Sequence, residues 1–255
     1  MNYKSALITG ASTGIGKATA ERLAKENINL ILLARREEKL KQLQASLCAL
    51  TKVHIIACDI TNLEQVKQAL DDLPEDFREI DIVVNNAGLA LGLGTAQESD
   101  WIDWQQMIST NCMALTFLTR LLLDGFVERN KGHIINIGSI AGTYPYRGGN
   151  VYGATKAFVE QFSINLKADL LGTNVRVTNI EPGMVGESEF SLVRFKGDES
   201  KAAAVYDGIN ALRPQDIAES ICWALSQPAH VNINRIEIMP VAQAPSRTAY
   251  HKDQL

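Results

Sequence analysis

The sequence predicts one α/β domain with a doubly wound, Rossmann-type sheet of seven mostly parallel strands and helices on both faces. Short apolar runs alternate with amphipathic stretches along the chain, as in successive βαβ units. The apolar runs are continuous rather than alternating, which is expected for strands that helices cover on both sides. A glycine-rich turn follows the first run, at a position where this fold binds ligands.

Each predicted element follows from its own pattern. Strands are assigned to apolar runs of four to eight residues, and helices to stretches with apolar residues three and four apart. The predicted strands cover residues 5–9, 29–34, 53–57, 82–85, 133–137, 175–180 and 235–239. The predicted helices cover residues 14–26, 36–47, 62–73, 101–128, 151–171 and 214–226. These elements place one domain at residues 1–240 and a polar C-terminal tail at 241–255.

The composition excludes several classes of protein. The chain of 255 residues has 46% hydrophobic and 21% charged residues, as ordinary globular proteins do. Its net charge of −4 argues against a nucleic-acid partner, and the absence of an 18-residue apolar run argues against a membrane span. The chain enters a strand without a signal-peptide pattern, which predicts a cytoplasmic protein. The four cysteines and four histidines lack metal-ligand spacing, so free thiols and no metal site are expected.

The turn after the first strand has the spacing Gly-x-x-x-Gly-x-Gly, formed by Gly10, Gly14 and Gly16, with Ser12 and Thr13 inside it. Glycines let the backbone approach a pyrophosphate, and the free N–H groups at the start of the next helix face the anion. A P-loop is excluded because neither Ser nor Thr follows the lysine after the last glycine. The alternative is a plain glycine turn.

Polar residues follow four more strands, at Arg35, Asp59, Asn86 and Ser139. The carboxyl ends of parallel strands meet at one edge of a sheet, and open α/β sheets bind ligands there. The sequence therefore predicts that these residues and Gly10 surround one crevice.

The end of the second strand indicates which dinucleotide is bound. Enzymes that use NAD carry an acidic residue there, which binds the adenosine ribose. Here the strand ends at Arg35-Arg36, and two guanidinium groups suit a 2′-phosphate. Glu37 and Glu38 fall in the first helical turn, where acidic residues interact well with the helix dipole. This pattern favours NADP over a solvated arginine pair, and we expect Asp59 to contact the adenine.

Tyr152 and Lys156 are four residues apart on a predicted helix and so share one face. A neighbouring ammonium favours the ionised phenol, so the spacing predicts a lowered Tyr152 pKa and a general acid or base. Ser139, thirteen residues before the tyrosine, is predicted to hydrogen-bond the substrate oxygen and position it. The alternatives are a surface Tyr/Lys pair and a serine that caps a turn.

In this order, the motifs resemble those of the short-chain dehydrogenase/reductase family. The matching segments are Thr9 to Gly16, Asn85-Asn86-Ala87-Gly88 after the fourth strand, and Pro182-Gly183 after the sixth. Four residues match the family's catalytic tetrad: Asn111, Ser139, Tyr152 and Lys156. Residues 85–92, 148–156, 193–198 and 228–234 resemble, more narrowly, the bacterial NADP-dependent 3-hydroxy acid dehydrogenases. That group includes L-allo-threonine or serine dehydrogenases and malonic semialdehyde reductases.

The resemblance implies an oxidoreductase that transfers hydride between NADP(H) and a small 3-hydroxy acid. It implies that Tyr152 is the acid/base, that Lys156 also holds the nicotinamide ribose, and that Asn111 holds a water that links Lys156 to solvent. The alternative for Asn111 is an ordinary satisfied core amide. The implied cofactor contacts are Gly10, Ser12, Thr13, Gly14, Ile15, Gly16, Arg35, Arg36, Asp59, Ile60, Asn86, Ala87, Gly88, Tyr152, Lys156, Pro182, Gly183, Val185 and Ser188. A homodimer or homotetramer is also implied.

The least regular part of the chain, residues 183–207, is predicted to be a mobile lid with a short helix inside; the alternative is a surface insertion. Glu187 stands where the resemblance leads us to expect glycine, and Arg147 where we expect a small residue. A carboxylate substrate needs a cation or backbone donors, and Arg147, Arg194 and Lys196 are the candidates.

Two other functions stay open. A broader carbonyl or ketoacyl reductase would be favoured by an apolar slot near residues 89–93 and disfavoured by a cationic pocket. A nucleotide-sensing protein without catalysis is disfavoured by the joint presence of Ser139, Tyr152 and Lys156.

Overall fold

The computed structural model describes residues 2–245, and most of the predicted tail, from residue 246 on, lies outside the described residues. Seven parallel strands form one sheet in the order β3-β2-β1-β4-β5-β6-β7, which confirms the predicted fold class. The strands are β1 (Ser5–Thr9), β2 (Asn29–Ala34), β3 (Val53–Ala57), β4 (Ile82–Asn85), β5 (Gly132–Ile137), β6 (Val175–Pro182) and β7 (Arg235–Ile238).

Helices cover both faces of this sheet. They are α1 (Gly14–Ala24), α2 (Glu37–Leu47), α3 (Leu63–Asp71), α4 (Trp101–Ile108), α5 (Leu115–Glu128), α6 (Asn150–Asp169), α7 (Phe190–Arg194), α8 (Glu199–Ala204) and α9 (Pro214–Ser226). One apolar cluster lies between the sheet and α1, α2 and α9, and a second lies between the sheet and α3, α5 and α6. Within residues 2–245, no helix has the length and apolar character needed to cross a membrane.

The apolar runs of β1 to β6 are continuous because each of these strands contributes to both clusters. In β2, Leu30 and Leu32 pack in the first cluster, whereas Ile31 and Leu33 pack in the second. All four side chains are fully buried or nearly so. Each such side chain stabilises the fold by about 1.5–3 kcal/mol relative to an exposed one, so the two clusters hold the strand ends in fixed positions.

Several predicted helices and strands begin or end one or two residues away from the observed bounds, and two predicted elements differ in kind. The helix expected at residues 101–128 is interrupted by a π-helical stretch, Ser109–Ala114, between α4 and α5. π-Helical turns inside α-helices are rare and are frequent at functional sites, and this one contains Asn111. The region predicted as a lid holds two short helices, α7 and α8, instead of one.

Candidate active site

The crevice lies where the order of the strands reverses, because β1 is flanked by β2 on one side and β4 on the other. A cavity of about 740 Å³ opens there. Most of the residues implied as cofactor contacts line it. Its walls include residues at the carboxyl ends of all six strands from β1 to β6. Gly16, Ser139 and Asn111 do not line the cavity. Each contacts a residue that does, namely Asn86 for Gly16, Tyr152 for Ser139 and Leu89 for Asn111.

The glycine turn has the backbone that its spacing requires. Gly10 and Gly14 have φ of +64° and +54°, which favours glycine. A Cβ on Gly16 would come within 2.6 Å of the Asn86 amide nitrogen, so this position must also be small. Because α1 begins at Gly14, its first N–H groups face the crevice and can bind an anion.

The segment after β4 is fastened to this turn. The Asn86 amide donates to the Thr9 carbonyl (2.8 Å) and the Gly10 carbonyl (3.3 Å). The backbone N–H groups of Asn86 and Ala87 donate to the Thr9 hydroxyl (3.0 and 2.9 Å). The Asn-Asn-Ala-Gly motif thus holds the two strand ends on either side of the crevice at a fixed distance.

Arg36 lies directly before α2 and points back to the glycine turn. Its Nη2 is 3.2 Å from the Ser12 hydroxyl and 3.4 Å from the Thr13 hydroxyl. The same nitrogen forms an ion pair of 2.7 Å with Glu189, and Lys39 forms another of 2.7 Å with the second oxygen of that carboxylate. The hydrogen bond with Arg36 is the main reason that the pKa of Glu189 is lowered to about 2.

Glu189 lines the cavity but was not among the residues predicted from the sequence. Its carboxylate binds two cations, and one of them, Arg36, also contacts the Ser12 and Thr13 hydroxyls. A phosphate oxygen would need such an environment. No signal in the sequence pairs position 189 with positions 36 and 39, because the contact depends on how the lid packs against α2.

Asp59, at the end of β3, faces the same part of the cavity. Its Oδ1 accepts from the backbone N–H of Thr61 (2.9 Å) and from the Thr61 hydroxyl (2.7 Å). Burial acts to raise the pKa of Asp59, but the bonds from Thr61 and the charge of Arg35 outweigh it, so the pKa is lowered. A charged carboxylate is therefore present where we expect the adenine.

Ser139 and Tyr152 meet, as predicted. Ser139 follows β5, and its hydroxyl accepts from the backbone N–H of Ala141 (3.1 Å) and caps a short turn. The same hydroxyl hydrogen-bonds with the phenol of Tyr152, which is only 8% exposed. The capping alternative is thus confirmed, and the predicted bond from Ser139 to the substrate oxygen stays a prediction.

Lys156 lies one turn after Tyr152 on α6, with its Nζ 5.9 Å from the centre of the Tyr152 ring. It donates to the Ile137 carbonyl (2.7 Å). An ammonium has three protons to donate, so this bond fixes the side chain and leaves capacity for a ligand. Burial lowers the pKa of Lys156 to about 8.

The predicted lowering of the Tyr152 pKa by Lys156 is wrong for this structure. Burial raises the pKa of Tyr152 to about 12, and the groups that oppose burial are the Arg194 charge and the hydrogen bond with Ser139. The i, i+4 spacing correctly places both residues on one face, but it carries no information about how deeply that face is buried. Arg194 on the lid is the cation that acts on the phenol.

Asn111 makes three hydrogen bonds from the π-helical stretch. Its amide nitrogen donates to the Leu89 carbonyl (2.9 Å) and the Thr155 hydroxyl (3.0 Å), and its oxygen accepts from the Leu89 backbone N–H (2.9 Å). The side chain therefore ties the segment after β4 to the catalytic helix. Gly88 permits this approach, because a Cβ there would lie 3.2 Å from the Asn111 oxygen and 3.4 Å from the Lys156 ammonium.

The three candidate cations for a substrate carboxylate have different surroundings. Lys196 is exposed and forms an ion pair of 2.8 Å with Asp103. Arg147 lines the cavity but is exposed. Arg194 lies inside the cavity against Tyr152.

Within residues 2–245, no group of three or more His, Cys, Asp or Glu side chains is arranged to hold a metal ion.

Comparison with known proteins identifies the class that this fold and site define. Residues 4–195 match the model of the short chain dehydrogenase family, which is well over half of the chain. The protein therefore belongs to the short-chain dehydrogenase family.

Individual relatives are similar over nearly the whole chain. It is 50% identical to the NADP-dependent 3-hydroxy acid dehydrogenase YdfG of Escherichia coli K12 over 246 residues, 96% of this chain and 98% of the relative. It is 51% identical to a serine 3-dehydrogenase of Rhizobium radiobacter over 238 residues, 93% and 94% of the two chains. The closed form of a serine dehydrogenase complexed with NADP+ superposes with a TM-score of 0.92 at 48% identity, covering 98% of this chain and all of the other.

Proposed function

We propose that this protein is an NADP-dependent dehydrogenase that exchanges a hydride between NADP(H) and a small 3-hydroxy acid, such as serine, allo-threonine or 3-hydroxypropionate. The observation that carries the proposal is that one cavity joins Tyr152, supported by Ser139 and Lys156, to Arg36 at the end of β2. The printed functions of the relatives, a 3-hydroxy acid dehydrogenase and a serine 3-dehydrogenase, support the substrate class.

The residues of the crevice fit NADP. The turn at Gly10 and the start of α1 would hold the pyrophosphate, and Asp59 with Ile60 would face the adenine. The Glu189 carboxylate, bound to Arg36 and Lys39, occupies an anion site beside Ser12, as a 2′-phosphate would. The bound cofactor would supply the acceptor or donor of hydride.

In the proposed oxidation, the Tyr152 oxygen takes the proton of the substrate hydroxyl while the carbon-bound hydrogen leaves with its electron pair. Ser139, already bonded to the phenol, would hold the substrate oxygen beside it. Lys156, fixed by the Ile137 carbonyl, would hold the nicotinamide ribose with its remaining protons. In reduction, Tyr152 returns the proton to the new hydroxyl.

The role implied for Asn111, a bound water that links Lys156 to solvent, is part of this proposal. The short distances across Gly88 support it, because both side chains lie against the same glycine. The lid role of residues 183–207 is also a proposal, supported by the position of α7 over the catalytic tyrosine.

Tyr152→Phe tests the mechanism directly, because it removes only the acidic hydroxyl. Turnover is expected to fall by at least about 100-fold, whereas the dissociation constant for NADPH, measured by fluorescence titration, is expected to stay near the wild-type value. Near-normal turnover by this variant would contradict the assignment of Tyr152 as the acid/base.

A broader carbonyl or ketoacyl reductase is the competing proposal. The apolar lining by Leu89 and Leu93 would suit an acyl chain, but the guanidinium of Arg194 in the same cavity favours an acid. Comparing kcat/KM for a short hydroxy acid and a neutral β-keto ester of similar length separates the two.

We also propose a cytoplasmic homo-oligomer, a dimer or a tetramer. Six large apolar side chains are exposed on α4, α6 and the π-helical stretch between α4 and α5: Trp101, Ile102, Ile108, Met113, Phe158 and Ile164. Apolar side chains concentrated in one region are typical of an interface. Sedimentation equilibrium that returns a monomer would contradict the proposal.

A further inference from the structure

Arg194 is the last residue of α7, and its guanidinium lies inside the cavity among aromatic rings. Its guanidinium carbon is 5.2 Å from the ring centre of Tyr152, 5.2 Å from that of Phe190 and 5.9 Å from that of Tyr146. A guanidinium enclosed by three rings is partly desolvated and its attraction for an anion is correspondingly stronger.

The hydrogen bonds of Arg194 are incomplete. One terminal nitrogen, Nη2, donates to the Tyr146 hydroxyl (2.8 Å). The Nε atom is buried and has no hydrogen-bond partner among residues 2–245. Buried polar groups are normally bonded, and one that is not calls for a ligand or another explanation. The Nε–H group without a partner therefore belongs to a cation that lines the same cavity as Tyr152.

The backbone also holds Arg194 in place. Its carbonyl accepts from the backbone N–H of Gly92 (2.9 Å), so the end of α7 is joined to the segment that follows β4. The Tyr146 hydroxyl, which comes from the segment between β5 and α6, fixes the other end of the side chain. Arg194 is therefore held both by the segment that follows β4 and by the segment between β5 and α6.

The two other cations are poorer candidates. Lys196 is neutralised by Asp103 at 2.8 Å and its side chain is 59% exposed. Arg147 is exposed, and its charge acts on Glu98, outside the catalytic group. Neither touches the ring of Tyr152.

We infer that Arg194 binds the carboxylate of the substrate and thereby selects short hydroxy acids. The inference rests on the proposed function and names the group that recognises the acid. In a 3-hydroxy acid, three covalent bonds separate the hydroxyl oxygen from the carboxylate carbon, a distance of about 3–4 Å. A hydroxyl bonded to Tyr152 therefore places the carboxylate within reach of a guanidinium whose carbon is 5.2 Å from that ring.

The inference can be tested with a pair of substrates that differ only in charge, 3-hydroxypropionate and 3-hydroxypropionamide. The Arg194 charge also acts on the pKa of Tyr152, and this effect is the same for both substrates. The acid-to-amide ratio of kcat/KM therefore isolates the contribution of carboxylate binding. In Arg194→Gln the ratio is expected to fall roughly 10- to 100-fold, the value of a charge-assisted hydrogen bond.

Lys196→Gln is the matched control, because it removes the same charge from the same lid. Its ratio is expected to change by less than about three-fold, as for an exposed ion pair. Arg194→Lys keeps the charge without the planar fork and is expected to give an intermediate ratio. NADPH titration of each variant checks that the cavity is intact.

Several outcomes would overturn the inference. Equal losses of kcat/KM on the acid and the amide in Arg194→Gln would assign Arg194 a structural or purely electrostatic role. Unchanged kcat/KM on both substrates would remove it from recognition. If the wild-type protein turned over neither substrate, and none of L-serine, L-allo-threonine and 3-hydroxyisobutyrate, the proposed function would fail. Calorimetric titration of 3-hydroxypropionate into the NADPH complex would then decide the inference, since binding lost only in Arg194→Gln supports it and equal binding contradicts it.

Discussion

The carboxylate of Glu189 and the guanidinium of Arg36 lie 2.7 Å apart and join the segment that begins the lid to the end of β2. Lys39 binds the second oxygen of the same carboxylate at 2.7 Å. Arg36, one of the two arginines that distinguish NADP from NAD in our proposal, is thus already paired with an internal anion.

Replacement of this anion is expected to strengthen NADP binding. With its pKa lowered to about 2, Glu189 stays charged at any working pH and competes with the 2′-phosphate for Arg36. Glu189→Gln should lower the dissociation constant of NADPH by up to about five-fold, the range of an exposed ion pair, and leave NADH unchanged. Glu187→Gln is the control, because it removes a charge from the same segment with no ion pair to Arg36 or Lys39 in the described structure. Weaker NADPH binding in Glu189→Gln would show that the carboxylate assists the phosphate instead.

Removal of the arginines is expected to have the opposite effect. Alanine at both Arg35 and Arg36 should weaken NADP by roughly 10- to 100-fold, as loss of charge-assisted bonds to a phosphate does, and weaken NAD only slightly. Steady-state KM values for both cofactors measure this. Equal losses for NADP and NAD would contradict the proposal that these arginines bind the 2′-phosphate.

The rate of oxidation is expected to rise with pH. Oxidation needs Tyr152 as phenolate, and burial raises its pKa to about 12, so the ionised fraction grows across the neutral and alkaline range. Arg194 lowers that pKa, so Arg194→Gln should move the rising limb to higher pH. The profile is measured on 3-hydroxypropionamide, where carboxylate binding has no part. A flat profile, or a shift to lower pH in the variant, would contradict the assignment.

The backbone at Glu187 is a source of strain. Its φ of +49° lies in the region that side chains with a Cβ avoid, at a position where the family resemblance leads us to expect glycine. Glu187→Gly should raise the free energy of unfolding by up to about 1 kcal/mol. Glu187→Ala removes the charge and keeps the Cβ, so no such gain is expected from it. Equal effects of Gly and Ala in urea unfolding would exclude backbone strain as the cause.

The strands were predictable because burial on both faces leaves a simple pattern. β1, β2, β3 and β4 have the predicted bounds, since each is a continuous apolar run between turn residues. The π-helical stretch Ser109–Ala114 was not predictable, because one extra residue in a turn leaves no periodic signal. The buried Asn111 inside an apolar helix was the only residue in that stretch that called for an explanation.

The site was predictable where it depends on short spacings and strand ends, as for the turn at Gly10 and for Tyr152 with Lys156. It was not predictable where distant segments meet. Glu189 with Arg36, and Arg194 with Tyr152, are pairs that form only when the lid packs over the crevice. The pKa of Tyr152 was misjudged for the same reason, since its burial depends on residues from distant segments, among them Leu89, Met107 and Phe190.

The most direct test of the account is the rate of NADPH formation by the wild-type protein with L-serine, L-allo-threonine, 3-hydroxypropionate and 3-hydroxyisobutyrate, each assayed with NADP and with NAD. We predict that at least one of these acids is oxidised, with kcat/KM for NADP exceeding that for NAD by at least about 10-fold. No turnover of any of them with NADP, or a preference for NAD, would contradict it.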